Sequence, residues 1–509
     1  MRACDHLPDR FNAAEWFVGR NVTLARGGRA AIVTDEGETS YGELDLLVRG
    51  FAAALGRQGV HAGDRVALIL PDGPLFSTVF WGAIAAGAVA VPLNPMLKAE
   101  RLGAILADCD PRLLVFDRGG LDGAAICRAG CALWESEEAR RQAGAAEPAS
   151  GYAATYRDGF AFFLYSSGTT GEPKGVVHLQ HDTWVCSRTY GEEILGIRSE
   201  DRCFSVAKLF FAYGLGNAQY FPFDVGASAV LFPGRPTPEA VFEQVRRHRP
   251  TLFFGVPTAY AHMLAAMERG GASDFSSVRL CASAGESLPA SVFERWREKT
   301  GLEILDGIGS TETCHMFLSN RSGAVRAGSS GKEIPGYDVR IVDDSGGDAS
   351  AGEIGDLLVR GDSTMGFYWN RHEATKSTLQ GDWIRTGDKY RRDADGFYWH
   401  AGRSDDMLKV SGQWVSPVEV EAALSAHPGV LECAVVGEED ADGLIKAHAF
   451  VAPRPEAATD NLADALKAFA EEKLEPFKRP RWITFVPELP RTATGKVQRY
   501  LLRQSKASL

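Results

Sequence analysis

A chain of 509 residues is too long for one ordinary hydrophobic core, which points to at least two domains. Its 45% apolar and 24% charged residues are those of a soluble globular protein. A net charge of -11 with no basic stripe argues against nucleic-acid binding, which takes clustered Lys and Arg, so any phosphate must be met locally by backbone N–H groups, a few cations and a metal ion.

The N-terminus carries no apolar signal core. Apolar residues at helical spacing predict a helix over Tyr41–Gln58. The longest apolar stretch, Phe80 to Leu93, falls short of the roughly 20 residues a bilayer span needs. Gly87 and Pro92 mark it as a buried helix running into a strand. Further runs read as buried strands: RVALIL from Arg65, RLLVFD from Arg112, AFFLYSS from Ala161, ASAVLFP from Ala227, TLFFGVP from Thr251 and LEILDGIG from Leu302. Their alternation with helical segments predicts an α/β fold with mostly parallel sheets. Cys127 and Cys131 would share a helix face, but no second Cys or His pair at ligand spacing accompanies them, and they read as small apolar fillers. Nine scattered cysteines suit a reducing cytoplasm.

From about Gly352 the texture changes. GEIGDLLVRG, GFYWN, DWIRTGD and DGFYWHAGR predict short strands of a small antiparallel unit. Beyond Arg403 a helix near Pro417–Ala426, strands LECAVVG and HAFVAP, a helix over Asn461–Lys473 and a strand RWITFVP make a piece of independent-domain size. The expected division is therefore 1–403 and 404–509, a large N-terminal domain and a smaller, mobile α+β C-terminal domain joined with almost no linker.

The strongest chemical signal is Tyr165-Ser-Ser-Gly-Thr-Thr-Gly-Glu-Pro-Lys-Gly175. Its glycines and hydroxyl residues offer many N–H and O–H donors after a strand, and Lys174 adds a cation, which is what a polyphosphate needs. The Walker A spacing is absent. This loop, Ser166 to Lys174 with Ser167, Gly168, Thr169, Thr170 and Gly171, resembles the phosphate loop of the adenylate-forming superfamily, which includes acyl- and aryl-CoA ligases, luciferases and adenylation domains. Thr39–Leu44 and Gly87–Pro92 resemble early motifs of that family, and the resemblance extends over nearly the whole chain in the family's order. It implies that Thr311 contacts the α-phosphate, that Glu312 helps hold Mg2+, that Asp388 binds ribose beside Arg403, that Asp405 is a hinge and that Lys496 is the catalytic lysine. Adenine is expected against Ala284, Gly285 and Glu286 and against Asp306, Gly307 and Ile308; many relatives have an aromatic residue where this chain has Ile308. These roles make physical sense, because a carboxylate attacking the α-phosphate of ATP brings two anions together and needs positioning and charge neutralisation.

Finer resemblances, Ala207–Asn217, Asp306–Glu312, Leu318–Asn320, Asp406–Gly412 and Asn12–Phe17, point to the benzoate- and hydroxybenzoate-CoA ligase branch. They imply an aryl pocket lined by Ala212, Tyr213, Gly309, His315 and Met316, with Met316 adaptable enough to leave room beside a ring. Benzoate, anthranilate and hydroxybenzoates are not ranked. Lys409, Ser411 and Gly412 lie where the pantetheine tunnel is completed, so coenzyme A is the expected acceptor; a carrier protein is the alternative. A non-catalytic nucleotide sensor is disfavoured by intact Glu312 and Lys496. The implied cofactors are ATP, Mg2+ and coenzyme A; no membrane or nucleic acid is implied, and a monomer or homodimer is expected.

Overall fold

The computed structural model describes residues 3–504 except 118, 120–122, 128–129, 146, 168–172, 272, 405, 411–412, 441–443, 455–460 and 492–496. Local chemistry starts the elements where the sequence predicts. The Ser40 side chain accepts the Glu43 N–H at 3.2 Å and the Ser40 N–H donates to Glu43 at 2.8 Å, a reciprocal cap that begins the helix Tyr41–Arg57. Pro74 opens the next helix, Pro74–Ala85, whose remaining residues are buried on every face. It packs so tightly on Tyr41–Arg57 that a Cβ at Gly82 would sit 2.8 Å from the Phe51 ring.

Among the described residues, one sheet has nine strands: Lys332–Glu333, Met316–Ser319, Ile304–Gly309, Leu280–Ser283, Leu252–Gly255, Arg202–Ser205, Ser228–Val230, Ala30–Thr34 and Gly37–Ser40, in spatial order. From Ile304–Gly309 to Ala30–Thr34 all neighbours are parallel, and the edges are antiparallel. A second sheet of seven strands runs Phe367–Tyr368, Pro173–Leu179, Phe160–Ser167, Val89–Pro92, Arg65–Ile69, Leu113–Phe116 and Ala132–Glu135, parallel from Phe160–Ser167 onward. One continuous core joins both sheets to a third, since Leu68, Val176, Leu305, Met316 and Val359 belong to a single buried cluster.

The third sheet is the expected antiparallel unit, but it begins earlier than Gly352. Its strands are Tyr337–Val342, Gly355–Gly361 and Trp383–Arg392, with Leu379–Gln380 and Tyr398–Arg403 both on the last. The first strand, YDVRIV, leaves little strand signal in the sequence because it is only half-buried and carries charge. GFYWN does not join this sheet. Phe367–Tyr368 instead pairs antiparallel with Pro173–Leu179 of the second sheet, a placement that matters below.

The C-terminal piece is as expected: Val430–Glu439, Ile445–Pro453 and Trp482–Phe485 form a sheet flanked by helices Pro417–Ser425 and Leu462–Lys473. One buried cluster is drawn wholly from residues 408–474. The helix before Cys127 stops at Ile126, so Cys127 and Cys131 do not share a helix; six of the nine cysteines are buried. Among the described residues no helix is long and apolar enough to cross a membrane.

Candidate active site

The hairpin expected to meet phosphate pairs Tyr165 with Gly175, Ser166 with Lys174 and Ser167 with Pro173. Its tip, with Gly168, Thr169, Thr170 and Gly171, lies outside the described residues, but its base is firmly held. The Tyr165 hydroxyl donates to Asp108 at 2.7 Å. Opposite, the Lys174 ammonium lies 5.1 Å from the centre of the Tyr368 ring. The Tyr368 hydroxyl donates to Glu312 Oε1 at 2.8 Å, and Ser166 Oγ approaches the same oxygen at 3.5 Å. Burial and the neighbouring Glu312 carboxylate raise the Tyr368 pKa, so the phenol stays a donor. Among the described residues, the hydrogen bonds given to the Glu312 side chain fall on Oε1. No cluster of three or more His, Cys, Asp or Glu gathers here among the described residues. A single hard carboxylate oxygen fits Mg2+, which keeps waters and substrate phosphates as most of its ligands.

Thr311 is positioned from behind. Its carbonyl accepts from His178 Nε2 at 2.8 Å, and His178 Nδ1 meets Asp182 at 2.7 Å. Since the carbonyl can only accept, Nε2 donates to it.

Strand ends bring the nucleotide candidates together. Ser283 and Asp306 face each other across neighbouring parallel strands, at the carboxyl ends where open α/β sheets bind ligands. Gly285 has φ 98° and continues the chain past the strand end to Glu286. The Asp306 carboxyl is buried: Oδ2 accepts a long 3.4 Å bond from the Leu288 N–H, and Oδ1 closes no hydrogen bond among the described residues. Burial pushes its pKa up to about 8. Gly307 and Gly309 allow the neighbouring strand to come close, because a Cβ on either would lie 2.3 Å from the Leu318 or His315 carbonyl oxygen. Ile308 between them is half-buried and Ala284 is buried. Asp388 lies opposite Arg403 in the antiparallel sheet, and Arg403 Nη1 donates to Asp388 Oδ1 at 3.2 Å. His400 joins this pair, with Nε2 3.6 Å from Asp388 and Nδ1 2.7 Å from Ser287.

The aryl-pocket candidates also converge. After a short 3-10 turn, Thr311–Thr313, the buried Cys314 takes φ 66° and sends His315 and Met316 back along Gly309. His315 is packed among Tyr190, Tyr213, Tyr220 and Phe221, its ring 5.4 Å from each of the first two. Burial pushes its pKa down to about 3, so it is neutral. Tyr213 lies in the short helix Ala212–Leu215, edge-on to Phe254.

Asp405, Ser411, Gly412 and Lys496 lie outside the described residues, as does the side chain of Lys409, whose backbone pairs with Trp414. Arg491, just before the lysine segment, bridges two parts of the chain. It meets Glu286 and Glu432 at 3.0 Å each, while Glu432 also meets His262 at 3.3 Å and Thr258 holds the other Glu286 oxygen at 3.0 Å. Arg454 adds a second tie, to Glu268 at 3.0 Å. The Glu286 carboxylate is thus engaged by Arg491 and Thr258.

Residues 20–369 match the AMP-binding enzyme family and residues 419–496 its C-terminal domain. The chain belongs to the AMP-binding enzyme family. Within it the chain falls in the branch of benzoate–CoA ligases. It is 46% identical over 513 residues to a benzoate–CoA ligase of Thauera aromatica, covering 98% of this chain and 97% of the relative. The crystal structure of the anthranilate CoA ligase AuaEII in complex with anthranoyl-AMP superposes with a TM-score of 0.95 at 41% identity, covering 100% of both chains. A benzoate CoA ligase from Burkholderia xenovorans LB400 superposes with a TM-score of 0.89 at 45% identity, covering 97% of this chain and 100% of that one.

Several site residues of this AMP-binding enzyme escape a reading of the sequence. Tyr368, His178, Tyr190 and Arg491 meet partners remote along the chain, and Asp182 is tied in through His178. The GFYWN turn gave a strand signal, but nothing in it told which sheet it would join.

Proposed function

We propose that this AMP-binding enzyme joins an aromatic carboxylic acid to coenzyme A in two steps. The acid's carboxylate oxygen attacks the α-phosphorus of ATP and the bond to pyrophosphate breaks, giving aryl-AMP. The thiol of coenzyme A then attacks the acyl carbon, AMP leaves, and the thiol proton passes to solvent. The observation that carries this reading is the continuous segment Asp306–Met316. It sets a buried carboxyl and glycine-lined strand, the Thr311–Glu312 pair and the His315 aromatic slot side by side. The full-length likeness to benzoate– and anthranilate–CoA ligases supports it.

In this scheme the hairpin, from Ser166 to Lys174, cradles the outer phosphates. Thr311 donates to the α-phosphate, its backbone held by His178. Glu312, oriented by Tyr368, would hold Mg2+, which supplies charge neutralisation when bound. Ala284, Gly285, Asp306, Gly307 and Ile308 enclose adenine; Asp388 takes the ribose hydroxyls, with Arg403 beside it. Lys496 meets the carboxylate and α-phosphate together. Lys409, Ser411 and Gly412 serve the thiol step, and the piece from about 404 turns on Asp405 between the two. The aromatic acid sits against Ala212, Tyr213, Gly309, His315 and Met316.

The test incubates purified protein with ATP, Mg2+, coenzyme A and a panel of aromatic, short and long aliphatic acids, and measures product mass. Aryl-CoA and AMP are expected, with acetate and long fatty acids poor. Aryl-AMP that accumulates without thioester until a phosphopantetheinyl carrier protein is supplied would move the acceptor from coenzyme A to that carrier. No adenylate from any aromatic acid would overturn the reading.

A further inference from the structure

Behind the Thr311–Glu312 pair the backbone is held one carbonyl at a time. The Thr311 carbonyl accepts from His178 Nε2 at 2.8 Å, the Glu312 carbonyl from the Met365 N–H at 2.7 Å and the Thr313 carbonyl from Ser363 Oγ at 2.8 Å. These donors come from two stretches of chain. His178 sits near the end of the strand Pro173–Leu179, while Ser363 and Met365 lie just past the strand Gly355–Gly361. His181 ties the first stretch to the second. Its Nε2 faces the Asp362 carbonyl at 3.0 Å and its Nδ1 the Arg157 carbonyl at 2.9 Å. Carbonyls only accept, so both nitrogens donate and the ring is fixed at both ends. Asp182 lies between the two histidines, with Oδ2 2.7 Å from His178 Nδ1 and Oδ1 3.3 Å from His181 Nε2. Asp182 Oδ2 also accepts the Leu179 N–H at 3.1 Å, and Asp158 lies 3.2 Å from His181 Nδ1.

His178, His181 and Asp182 are all buried. Burying polar and charged groups is unfavourable unless each is paired, and apolar side chains of similar volume would pack here at less cost. What the arrangement supplies is direction. A flat, rigid ring that donates from both ends fixes the distance between the strand carrying His178 and the turn 362–365. Those two pieces hold the three carbonyls, and so the place of Thr311 and Glu312. Reacting groups displaced by about 1 Å can lose roughly 10²-fold in rate.

We propose that His181 is a positioning residue for adenylation. Through Asp362 it fixes the turn that holds Glu312 and Thr313, and through Asp182 it steadies the histidine that holds Thr311. The proposal rests on the aryl-CoA function above and adds to it the residue that sets where the α-phosphate and Mg2+ are met.

The experiment measures pyrophosphate exchange against Mg2+, ATP and an aromatic acid that the wild type uses, in the wild type, His181→Leu, His181→Gln and Asp182→Asn, with thermal unfolding of each. His181→Leu should lower kcat and raise the Mg2+ needed for half the maximal rate, together by about tenfold or more, as is usual when a residue that orients a metal ligand is lost. The KM for the acid should stay near that of the wild type. His181→Gln keeps one N–H donor and should recover part of both effects. Asp182→Asn keeps the shape and the bond from Leu179 but not the charge between the histidines. It should show the same Mg2+ shift in weaker form, and it decides the matter if His181→Leu does not fold. Variants that unfold at lower temperature yet keep the wild-type kcat and Mg2+ curve overturn the inference, since His181 then serves packing alone. A rise in the acid KM as large as the loss in kcat overturns it too. Either result leaves the aryl-CoA function standing; if the wild type makes no adenylate from any aromatic acid, both fall.

Discussion

Glu312→Gln keeps the side chain's shape and removes its charge. Its expected result is weaker turnover at low Mg2+, partly restored by excess Mg2+. Tyr368→Phe should reproduce a milder form of the same defect, because the phenol fixes Glu312 Oε1. Titrating initial rate against Mg2+ for both variants checks this. An unchanged Mg2+ curve in Glu312→Gln would remove it from the metal. Asp306 gives a prediction about pH. Its pKa is pushed up to about 8 in the fold and lies near 3.9 in the unfolded chain. Below both values the proton is held in both states. As pH rises between them, the unfolded chain releases its proton while the fold retains it, so stability is lost across about pH 4–8. Asp306→Asn should flatten that slope in denaturant unfolding measured at pH 5 and pH 8. At this scale the sequence revealed residues whose chemistry is spelled by near neighbours, such as Ser310-Thr311-Glu312. It hid the residues that hold them: Tyr368 lies 56 positions from Glu312, and His178 lies 133 from Thr311.

Among the elements, the long apolar runs were legible because a buried parallel strand must be apolar on both faces. All seven runs read that way contain strands of the two large sheets. The short strand Phe367–Tyr368 pairs with a sheet the sequence does not point to, because two residues carry too little pattern to choose a partner. The turn Thr311–Met316, with a non-glycine residue at positive φ, has no sequence signature either. Close packing of two strands here gives a test. Gly307→Ala would force a Cβ to within 2.3 Å of the Leu318 carbonyl oxygen and 2.5 Å of the Met316 methyl. Of these only the methyl can move aside. We expect loss of roughly 1–3 kcal/mol of stability by overpacking and a larger loss of aryl-acid turnover, measured by thermal unfolding and kcat/KM together. Unaltered kinetics in a destabilised protein would separate this strand pair from the slot.

For the whole molecule, the proposed alternation of two half-reactions turns on Asp405 and on Lys496, neither among the described residues. Lys496→Ala should slow adenylation by roughly 10²–10³ while thioester formation from supplied aryl-AMP survives much better. Arg491→Ala should show the same asymmetry with a smaller amplitude, since Arg491 fastens the chain just ahead of that lysine to Glu286. Pyrophosphate exchange and thioester yield, measured on one preparation, separate the two steps. Equal losses in both would return Arg491 to a general structural role. The proposed division at about 404 rests on the change in texture and on a buried cluster drawn wholly from residues 408–474. The bridge by Arg491 was not legible in the sequence, because ion pairs between distant surfaces leave no pattern in either segment.

That bridge makes the enzyme answer to its solvent. Arg491, Glu286, Arg454, Glu268 and His262 keep between about a seventh and a half of their side-chain surface in water. Dissolved ions therefore reach these pairs, and at physiological ionic strength the screening length is only about 8 Å. Raising salt should loosen the fastening without touching the buried slot. Adenylation would then weaken ahead of acid binding, and the ratio of pyrophosphate exchange to thioester synthesis would fall with added potassium chloride. The same titration on Arg491→Ala should be nearly flat.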